Sequence, residues 1–259
     1  MSDQPRFATR TAQSARIVLL FVDLRSALPA LETAEHATPR LSDDERARYE
    51  NRAGLNSGDA KLWRGAHIAL RIALEREAGI GVRGVPFETE PGGRPRLAKL
   101  TGGDRPPHFS LAHAGDFALL AISNTGPAGV DLEITRTLNV SAERRARIET
   151  AARRAAPERE PDGADDDARF LQAWVRLEAL AKATGLGIGR ILTAAGVVGG
   201  TSQLLNDPAA SACTVRDLAV RAGCFAAVAA DHLPQILAVE DFPVSAAGLA
   251  KFTGAAAGP

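Results

Sequence analysis

A pair of carboxylates on one predicted strand carries the first chemical signal in this chain. Asp131 and Glu133 alternate with apolar residues from Val130 to Ile134. Because a strand has a period of two, both carboxylates face one side while the apolar side chains face the core. Two carboxylates this close repel each other unless a cation lies between them, and their oxygens suit the hard cation Mg²⁺. The pattern therefore predicts half of a metal site.

Glu178 and Lys182 supply a second signal, in a predicted helix at 170–184. At about 100° per residue, both charges fall inside the broad apolar arc of that helix. Three polar residues lie on the opposite side and are expected to face solvent: Arg169, Gln172 and Arg176. An exposed Glu–Lys pair one turn apart is an ordinary surface feature. Charges turned toward a core need partners, because unpaired burial costs several kcal/mol, and the orientation therefore indicates a site.

Together these residues suit chemistry on phosphate. Glu178 would complete a cluster of three carboxylates with Asp131 and Glu133, leaving water and phosphate oxygens as the other ligands of one Mg²⁺. Lys182 could hold a phosphate or stabilise a leaving group. The loop at 91–95 (PGGRP) could bring backbone N–H groups and a cation to an anion, although an ordinary solvated turn has the same sequence. These residues therefore predict metal-assisted chemistry on a phosphate ester or anhydride.

Composition argues against several other classes of protein. The 259 residues contain 31 basic and 31 acidic side chains, so we expect neither general nucleic-acid binding nor membrane-surface binding. No apolar stretch has transmembrane length and there are two cysteines, which indicates a cytoplasmic protein. Cys213 and Cys224 could form a disulfide or remain ordinary buried thiols. The sequence has no Cys-rich or paired-His pattern, no G-x-S-x-G elbow and no Walker lysine loop, which argues against zinc, serine-hydrolase and P-loop sites.

The remaining pattern predicts a mixture of strands and helices. Strands are expected at 16–24, 85–89, 117–123, 130–134, 213–220 and 223–230, and helices from Ser42, at 59–76 and at 141–156. Residues 157–168 carry mostly acidic charge and are predicted to form a loop. The segments GDFALLAIS (115–123) and GCFAAVAAD (223–231) share four residues at matching offsets, which could reflect an internal duplication or chance.

Three separated motifs occur in one order: FSLAH at 109–113, GVDLE at 129–133, and WVRLEA at 174–179 followed by Lys182 and GLG at 185–187. In order and spacing they resemble the signature of the 4′-phosphopantetheinyl transferases of the surfactin-synthetase-activating type. Two upstream segments resemble the corresponding helix and Gly-Lys/Arg-Pro loop of that family: Asp59-Ala60-Lys61 and Gly93-Arg94-Pro95. The resemblance extends from Arg16 to Val239.

The resemblance implies an α+β fold in which two similar α/β subdomains form a pseudo-dimer within one monomeric chain. The active site would lie in the cleft between the subdomains. The first subdomain would span 16–125 and the second 126–245. The ends of the chain would be a flexible N-terminus at 1–15 and a flexible tail at 246–259.

The same resemblance implies an enzyme, a holo-[acyl-carrier-protein] synthase that uses coenzyme A as substrate and Mg²⁺ as cofactor. It would transfer the 4′-phosphopantetheine arm to a serine hydroxyl of an apo acyl or peptidyl carrier protein and release adenosine 3′,5′-bisphosphate. Such carriers serve fatty-acid, polyketide or nonribosomal-peptide biosynthesis. An acidic helix of the carrier would suit the arginines at 144–154, although these could equally form a solvated face.

The catalytic centre implied by the resemblance uses four side chains. Asp131, Glu133 and Glu178 would hold Mg²⁺ against the pyrophosphate of coenzyme A. A carboxylate such as Glu178 would draw the proton from the attacking serine, directly or through a metal-bound water. Lys182 would support the departing phosphate. The catalytic residues implied in this way are Glu178, Lys182 and Asp131.

Five residues would bind coenzyme A by the same resemblance. Arg94 would contact the nucleotide phosphates in place of the usual Lys, and His113 would contact phosphate near the same position. The motifs add three further binding residues: Lys61, Gly93 and Pro95. Taken alone, His113 would be an ordinary core or turn histidine, so its assignment depends on the joint occurrence of the motifs.

Two positions depart from the family pattern. Ala112 stands where Ser is usual before the His, and Leu177 stands where Lys is usual before the Glu. The lost hydroxyl removes about 1 kcal/mol of hydrogen bonding at most. Arg176 is a poor substitute for the missing Lys, because it lies about 100° away on the helix. Two alternatives stay open: a catalytically degenerate coenzyme A or carrier-protein binding module, and a metal-dependent phosphohydrolase, for which the sequence offers no second-metal cluster or dedicated water-activating base.

Overall fold

The computed structural model describes residues 16–54, 56–98, 106–156, 165–198 and 208–254. Within these ranges the chain forms the mixed α+β structure that the sequence predicts. The helices are α1 (Leu24–Ala37), α2 (Asp43–Ala53), α3 (Ser57–Ala78), α4 (Ala142–Ala155), α5 (Asp166–Thr184), α6 (Ile188–Ala194), α7 (Pro208–Ala212) and α8 (Ala246–Thr253). The strands are β1 (Ile17–Asp23), β2 (Phe87–Thr89), β3 (Pro95–Leu97), β4 (His108–Ala114), β5 (Phe117–Ser123), β6 (Ala128–Ile134), β7 (Thr214–Asp217), β8 (Cys224–Ala230) and β9 (Val239–Asp241). None of the described helices is long and apolar enough to cross a lipid bilayer.

The first unit is a four-stranded sheet covered by helices. Its strand order is β4-β5-β1-β9, and β5 pairs antiparallel with both β4 and β1. α3 packs its apolar face on this sheet and buries Ile68 and Leu74, while α1 and α2 pack against α3. A capping box fixes the start of α2: the Glu45 amide donates to the Ser42 hydroxyl, and the Ser42 amide donates to the Glu45 carboxylate.

The second unit is a three-stranded antiparallel sheet of order β6-β8-β7. α5 lies across β6 and β8, and α4 and α6 pack on α5. The helix begins at the N-cap Asp165 and ends at Gly185, whose φ of +69° favours glycine. Residues 165–168, which the sequence predicts as the end of a loop, therefore form the cap and first turn of α5. The earlier part of that loop, 157–164, lies outside the described residues.

Arg176 and Gln172 are buried between α5 and the sheet, with exposures of 1% and 8%. Arg176 Nε donates to Asp217 Oδ1 at 2.8 Å, and Gln172 Nε2 donates to the same oxygen at 2.7 Å. The prediction that both face solvent is wrong, because strands and helices surround α5 and leave it no broad solvent face. Arg176 therefore belongs to a structural ion pair with β7.

The two units share one strand order. β1-β5-β4 in the first unit corresponds to β6-β8-β7 in the second, with every neighbouring pair antiparallel. The matching segments at 115–123 and 223–231 contain the central strands β5 and β8 of the two sheets. Each sheet also packs a long helix, α3 or α5, on one face. The sequence similarity between the segments thus coincides with equivalent positions in the two units.

An apolar layer joins the units. The faces of β1 and β5 that point away from α3 meet the faces of β6 and β8 that point away from α5, and they bury Leu19, Leu119, Val130 and Val228. Across this junction, the amide of Val130 donates to the hydroxyl of Ser110 in β4 at 3.1 Å. Residues of both units therefore lie close together where β4 meets β6.

Residues after 238 return to the first unit. β9 pairs in parallel with β1, so that Val239 lies opposite Leu19, and α8 packs on α1 and α3 with Leu249 buried. The sequence predicts a second subdomain to 245 and a flexible tail from 246. The structure differs from both predictions, because the apolar face of α8 completes the core of the first unit. Residues 1–15 and 255–259 lie outside the described residues.

Candidate functional site

Gly129 allows β6 to lie directly against α5. A Cβ atom on Gly129 would come within 2.2 Å of the carbonyl oxygen of Ala179. No side chain fits in that gap, so this contact between strand and helix requires glycine. The close approach brings Asp131, two residues along β6, to the face of α5 that carries Glu178 and Lys182.

Asp131 is bonded to Lys182. Lys182 Nζ donates to Asp131 Oδ1 at 2.7 Å and to the carbonyl oxygen of Val130 at 3.1 Å. Burial raises the pKa of the Asp131 carboxyl and the charge of Glu133 adds to this, while Lys182 opposes the shift. The lysine therefore compensates a carboxylate that the protein has largely removed from water.

Glu133 and Glu178 complete the group of carboxylates. Glu133, half-buried, forms an ion pair with Arg136. Glu178 has no hydrogen-bond partner among the described residues. Burial raises its pKa, and the charges of Asp131 and Glu133 raise it further, although Lys182 opposes them. Glu178 therefore combines a raised pKa with a carboxylate that has no hydrogen-bond partner among the described residues.

These side chains line a cavity of about 380 Å³, here called the acidic cavity. Among the described residues, no group of three or more His, Cys, Asp or Glu side chains is arranged to hold a metal ion. The cations bonded to the carboxylates are Lys182 and Arg136. The donor set nevertheless fits a hard cation, because Asp131, Glu133 and Glu178 offer oxygen ligands alone and such a cation would relieve their repulsion.

A second cavity, of about 430 Å³, lies between the two units and is here called the inter-unit cavity. Glu178 and Lys182 line it as well, so the two cavities share these two side chains. From the first unit, the aromatic rings of Phe87 and Phe109 contribute apolar surface. The inter-unit cavity thus combines apolar walls with charged groups at the side shared with the acidic cavity.

The glycine loop at 91–95 forms one wall of the inter-unit cavity. Gly93 adopts a φ of +88°, which favours glycine. Arg94 Nη1 donates to the carbonyl oxygen of Ala183 at 2.7 Å, and its Nε donates to Glu90 at 2.8 Å. Pro95 begins β3 and also lines the cavity. The loop therefore fixes a guanidinium of the first unit at the end of a helix of the second.

His113 and Lys61 lie in different surroundings. His113 lines the acidic cavity from β4. Partial desolvation lowers its pKa, whereas a backbone hydrogen bond with Gly115 and the charge of Asp59 oppose the shift. Lys61 is exposed and lines a separate groove of about 640 Å³ with Tyr49, so the structure does not bring it to either cavity.

Arg48 and His67 line the inter-unit cavity and are not among the site residues that the sequence predicts. Neither belongs to one of the three motifs. His67 lies on the apolar side of the helix predicted at 59–76, eight residues after Asp59, and this inward position was the available signal. Its ring contacts Glu45 of α2, a partner that the sequence pattern does not reveal.

Comparison with known proteins finds a relative with a similar sequence. No protein-family model matches the chain. The chain is similar to a protein of Synechocystis sp. named "Putative 4′-phosphopantetheinyl transferase". The two are 30% identical over 172 residues, which cover 64% of this chain and 62% of the relative. The chain thus spans less than two thirds of the length of the relative that it matches.

Proposed function

We propose that this chain is a 4′-phosphopantetheinyl transferase that moves the phosphopantetheine arm of coenzyme A to a serine hydroxyl of an apo carrier protein. The observation that carries the proposal is the position of Glu178 and Lys182 between the acidic cavity and the inter-unit cavity. A donor such as coenzyme A carries a pyrophosphate, whose negative charge must be balanced where the reaction takes place. The rest of this long molecule needs a binding surface beside that point. The name of the Synechocystis relative supports the same activity.

Coenzyme A would bind in the inter-unit cavity. Its nucleotide phosphates would meet Arg94, and the glycine backbone at 92–93 would allow close approach of the phosphate oxygens. The apolar wall from Phe87 and Phe109 would take the uncharged parts of the molecule. Because both units contribute walls, a single pseudo-dimeric chain would suffice and the enzyme would act as a monomer.

The acidic cavity would hold Mg²⁺ through Asp131, Glu133 and Glu178. The ion would supply positive charge to the pyrophosphate oxygens as the phosphorus–oxygen bond breaks. Lys182 contacts Asp131 in the structure, so it also lies within reach of ligands at these carboxylates. The site would therefore concentrate positive charge where negative charge develops in the transition state.

The transfer itself needs one proton acceptor. The serine oxygen of the carrier would attack the β-phosphorus of coenzyme A, and the bond from that phosphorus to the bridging oxygen would break. Glu178, which has no hydrogen-bond partner among the described residues, would accept the serine proton. Lys182 would stabilise the charge on the departing adenosine 3′,5′-bisphosphate.

The two departures from the family pattern have different surroundings. Leu177 is fully buried in the core of the second unit and Ala112 is buried in the layer between the units. Arg176 is paired with Asp217 and is directed away from the acidic cavity. Activity would therefore depend on Glu178 and Lys182 without help from a neighbouring cation at 176 or 177.

The test is modification of a carrier. Apo carrier proteins from fatty-acid, polyketide and nonribosomal-peptide synthesis are incubated with coenzyme A, Mg²⁺ and the protein, and their intact masses are measured. We expect at least one carrier to gain the mass of the phosphopantetheine arm, and its identity would show which class of carrier the protein modifies. Coenzyme A binding without modification would favour the degenerate binding module, and release of phosphate without a modified carrier would favour a phosphohydrolase.

A further inference from the structure

We propose that His67 contacts the ligand of the inter-unit cavity, donating a hydrogen bond from its outer ring nitrogen to a phosphate oxygen of coenzyme A. The inference rests on the proposed function, because it takes coenzyme A as the ligand. It assigns a binding residue that none of the sequence motifs contains. The argument comes from the position of His67, from what orients its ring and from the charges around it.

The position of His67 is at the wall of the inter-unit cavity. Its side chain is 14% exposed and lines the cavity from α3. Arg48, Arg94 and Lys182 line the same cavity. Three cationic side chains and one histidine outnumber Glu178, the carboxylate that also lines this cavity, so the cavity suits an anionic ligand. Phosphate groups accept such hydrogen bonds strongly.

The ring of His67 is held in one orientation. Its Nδ1 lies 2.8 Å from Oε1 of Glu45, and the ring packs against Trp63 with centroids 4.0 Å apart and the two ring planes tilted by 33°. Because a carboxylate accepts hydrogen bonds, Nδ1 carries the proton in this contact. The second nitrogen, Nε2, has no hydrogen-bond partner among the described residues. The nitrogen that remains available is therefore the one that a cavity ligand can meet.

Glu45 is a fixed anchor for this arrangement. Its carboxylate also accepts from Arg71 Nη2 at 2.6 Å and from the amide of Ser42 at 2.9 Å. Arg71 is 1% exposed and already balances the charge of Glu45. Because Nδ1 donates to Glu45, Nε2 can donate to a phosphate oxygen only when the ring carries both protons, and the anionic groups on its two sides would stabilise that form.

A matched pair of variants separates ligand contact from a merely structural role. The amide nitrogen of Asn can replace Nδ1 and keep the bond to Glu45, while nothing replaces Nε2. The longer Gln can instead direct its amide nitrogen to the position of Nε2. Both variants, with the wild type, are measured by steady-state kinetics of carrier modification and by calorimetric titration with coenzyme A.

For H67N we expect the KM and Kd for coenzyme A to rise about tenfold, with kcat and the KM for the carrier nearly unchanged. For H67Q we expect a rise of about threefold or less, because a donor toward the cavity is retained. His36→Asn is the control, since His36 is exposed near the end of α1. It should leave all of these constants unchanged.

Unchanged affinity of H67N for coenzyme A would overturn the assignment and leave His67 as a structural partner of Glu45. If thermal unfolding shows that H67N does not fold, H67Q decides: a rise of its Kd for coenzyme A well above about threefold would overturn the assignment, because Gln retains a donor toward the cavity. A wild type that neither binds coenzyme A nor modifies any carrier would overturn the proposed function and this inference together. A wild type that does both, beside an H67N variant that matches it, would overturn the inference alone.

Discussion

Gly92 and Gly185 touch backbone to backbone at the junction of the two units. A Cβ atom on Gly92 would lie 1.4 Å from the carbonyl oxygen of Gly185. Gly185 has a φ of +69°, so neither residue tolerates a side chain without strain. The contact holds the glycine loop against the end of α5, where Arg94 bonds to the carbonyl oxygen of Ala183. The wall of the inter-unit cavity therefore depends on two glycines that are distant in sequence.

Replacing Gly92 with Ala should separate this loop from α5. Because the added methyl group would overlap backbone atoms, we expect the free energy of unfolding to fall by about 1–3 kcal/mol and coenzyme A to bind more weakly. Denaturant unfolding and calorimetric titration measure the two effects. Gly81→Ala is the control, since a Cβ atom at Gly81 meets nothing within 4 Å. A G92A variant with wild-type stability and affinity would show that the contact is dispensable.

Glu178→Gln should abolish transfer while leaving the fold intact. The substitution keeps the size of a half-buried side chain but removes the proton acceptor, and we expect kcat to fall at least about 100-fold. The mass assay on a responsive carrier measures transfer, and thermal unfolding reports the fold. Glu143→Gln on the exposed side of α4 provides the control. Near-normal turnover in E178Q would refute its role as the base.

The pKa of Glu178 should respond to Mg²⁺. Burial, together with the charges of Asp131 and Glu133, raises the pKa of the Glu178 carboxyl above its ordinary value of 4.5. Mg²⁺ held by these three carboxylates would favour their ionised forms and lower that pKa. Titration of the Glu178 carboxyl followed by NMR, without and with Mg²⁺, measures the shift. A pKa at or below 4.5 without Mg²⁺, or no change when Mg²⁺ is added, would contradict the explanation.

The local parts of the fold are predictable because they depend on short-range periodicity. The alternation from Val130 to Ile134 predicts β6 and its two faces, and the apolar arc of α5 predicts that Glu178 and Lys182 turn inward. The structure agrees on both points. These predictions succeed because side-chain direction within one element follows from its own geometry.

The long-range parts are not predictable in this way. A helical wheel separates the apolar and polar sides of α5. It does not show that Arg176 pairs with Asp217, 41 residues later in the chain. The Asp59-Ala60-Lys61 motif gives residue types, whereas the phase of α3 turns Lys61 toward another groove. His67 belongs to none of the motifs, and the orientation of its ring depends on Glu45 of a different helix. In each case the missing information is which element packs against which face.

Lys182→Met should destabilise the fold, because it leaves the buried Asp131 carboxylate without its ion-pair partner. Without the lysine, the buried carboxylate loses its ion-pair partner, and we expect about 1–3 kcal/mol less free energy of unfolding near neutral pH. The penalty should shrink as pH falls, because burial raises the pKa of Asp131 and protonation then removes the unpaired charge. Denaturant unfolding at two pH values measures this. The double variant K182M/D131N should recover most of the loss, and a pH-independent penalty would contradict the explanation.

Glu45 should make stability depend on acid. Burial alone would raise its pKa, but hydrogen bonds from His67 and Arg71 outweigh burial and lower the pKa to about 2 from 4.5. Because the pKa of Glu45 is lower in the folded protein, the ionised carboxylate stabilises the fold at pH values above 4.5. That stabilisation, about 3 kcal/mol at most, should be lost as pH falls from 4.5 toward 2. Denaturant unfolding across this range should show a steeper loss in the wild type than in E45Q. E88Q, in the exposed pair with Arg96, should keep the wild-type slope, and equal slopes in wild type and E45Q would contradict the prediction.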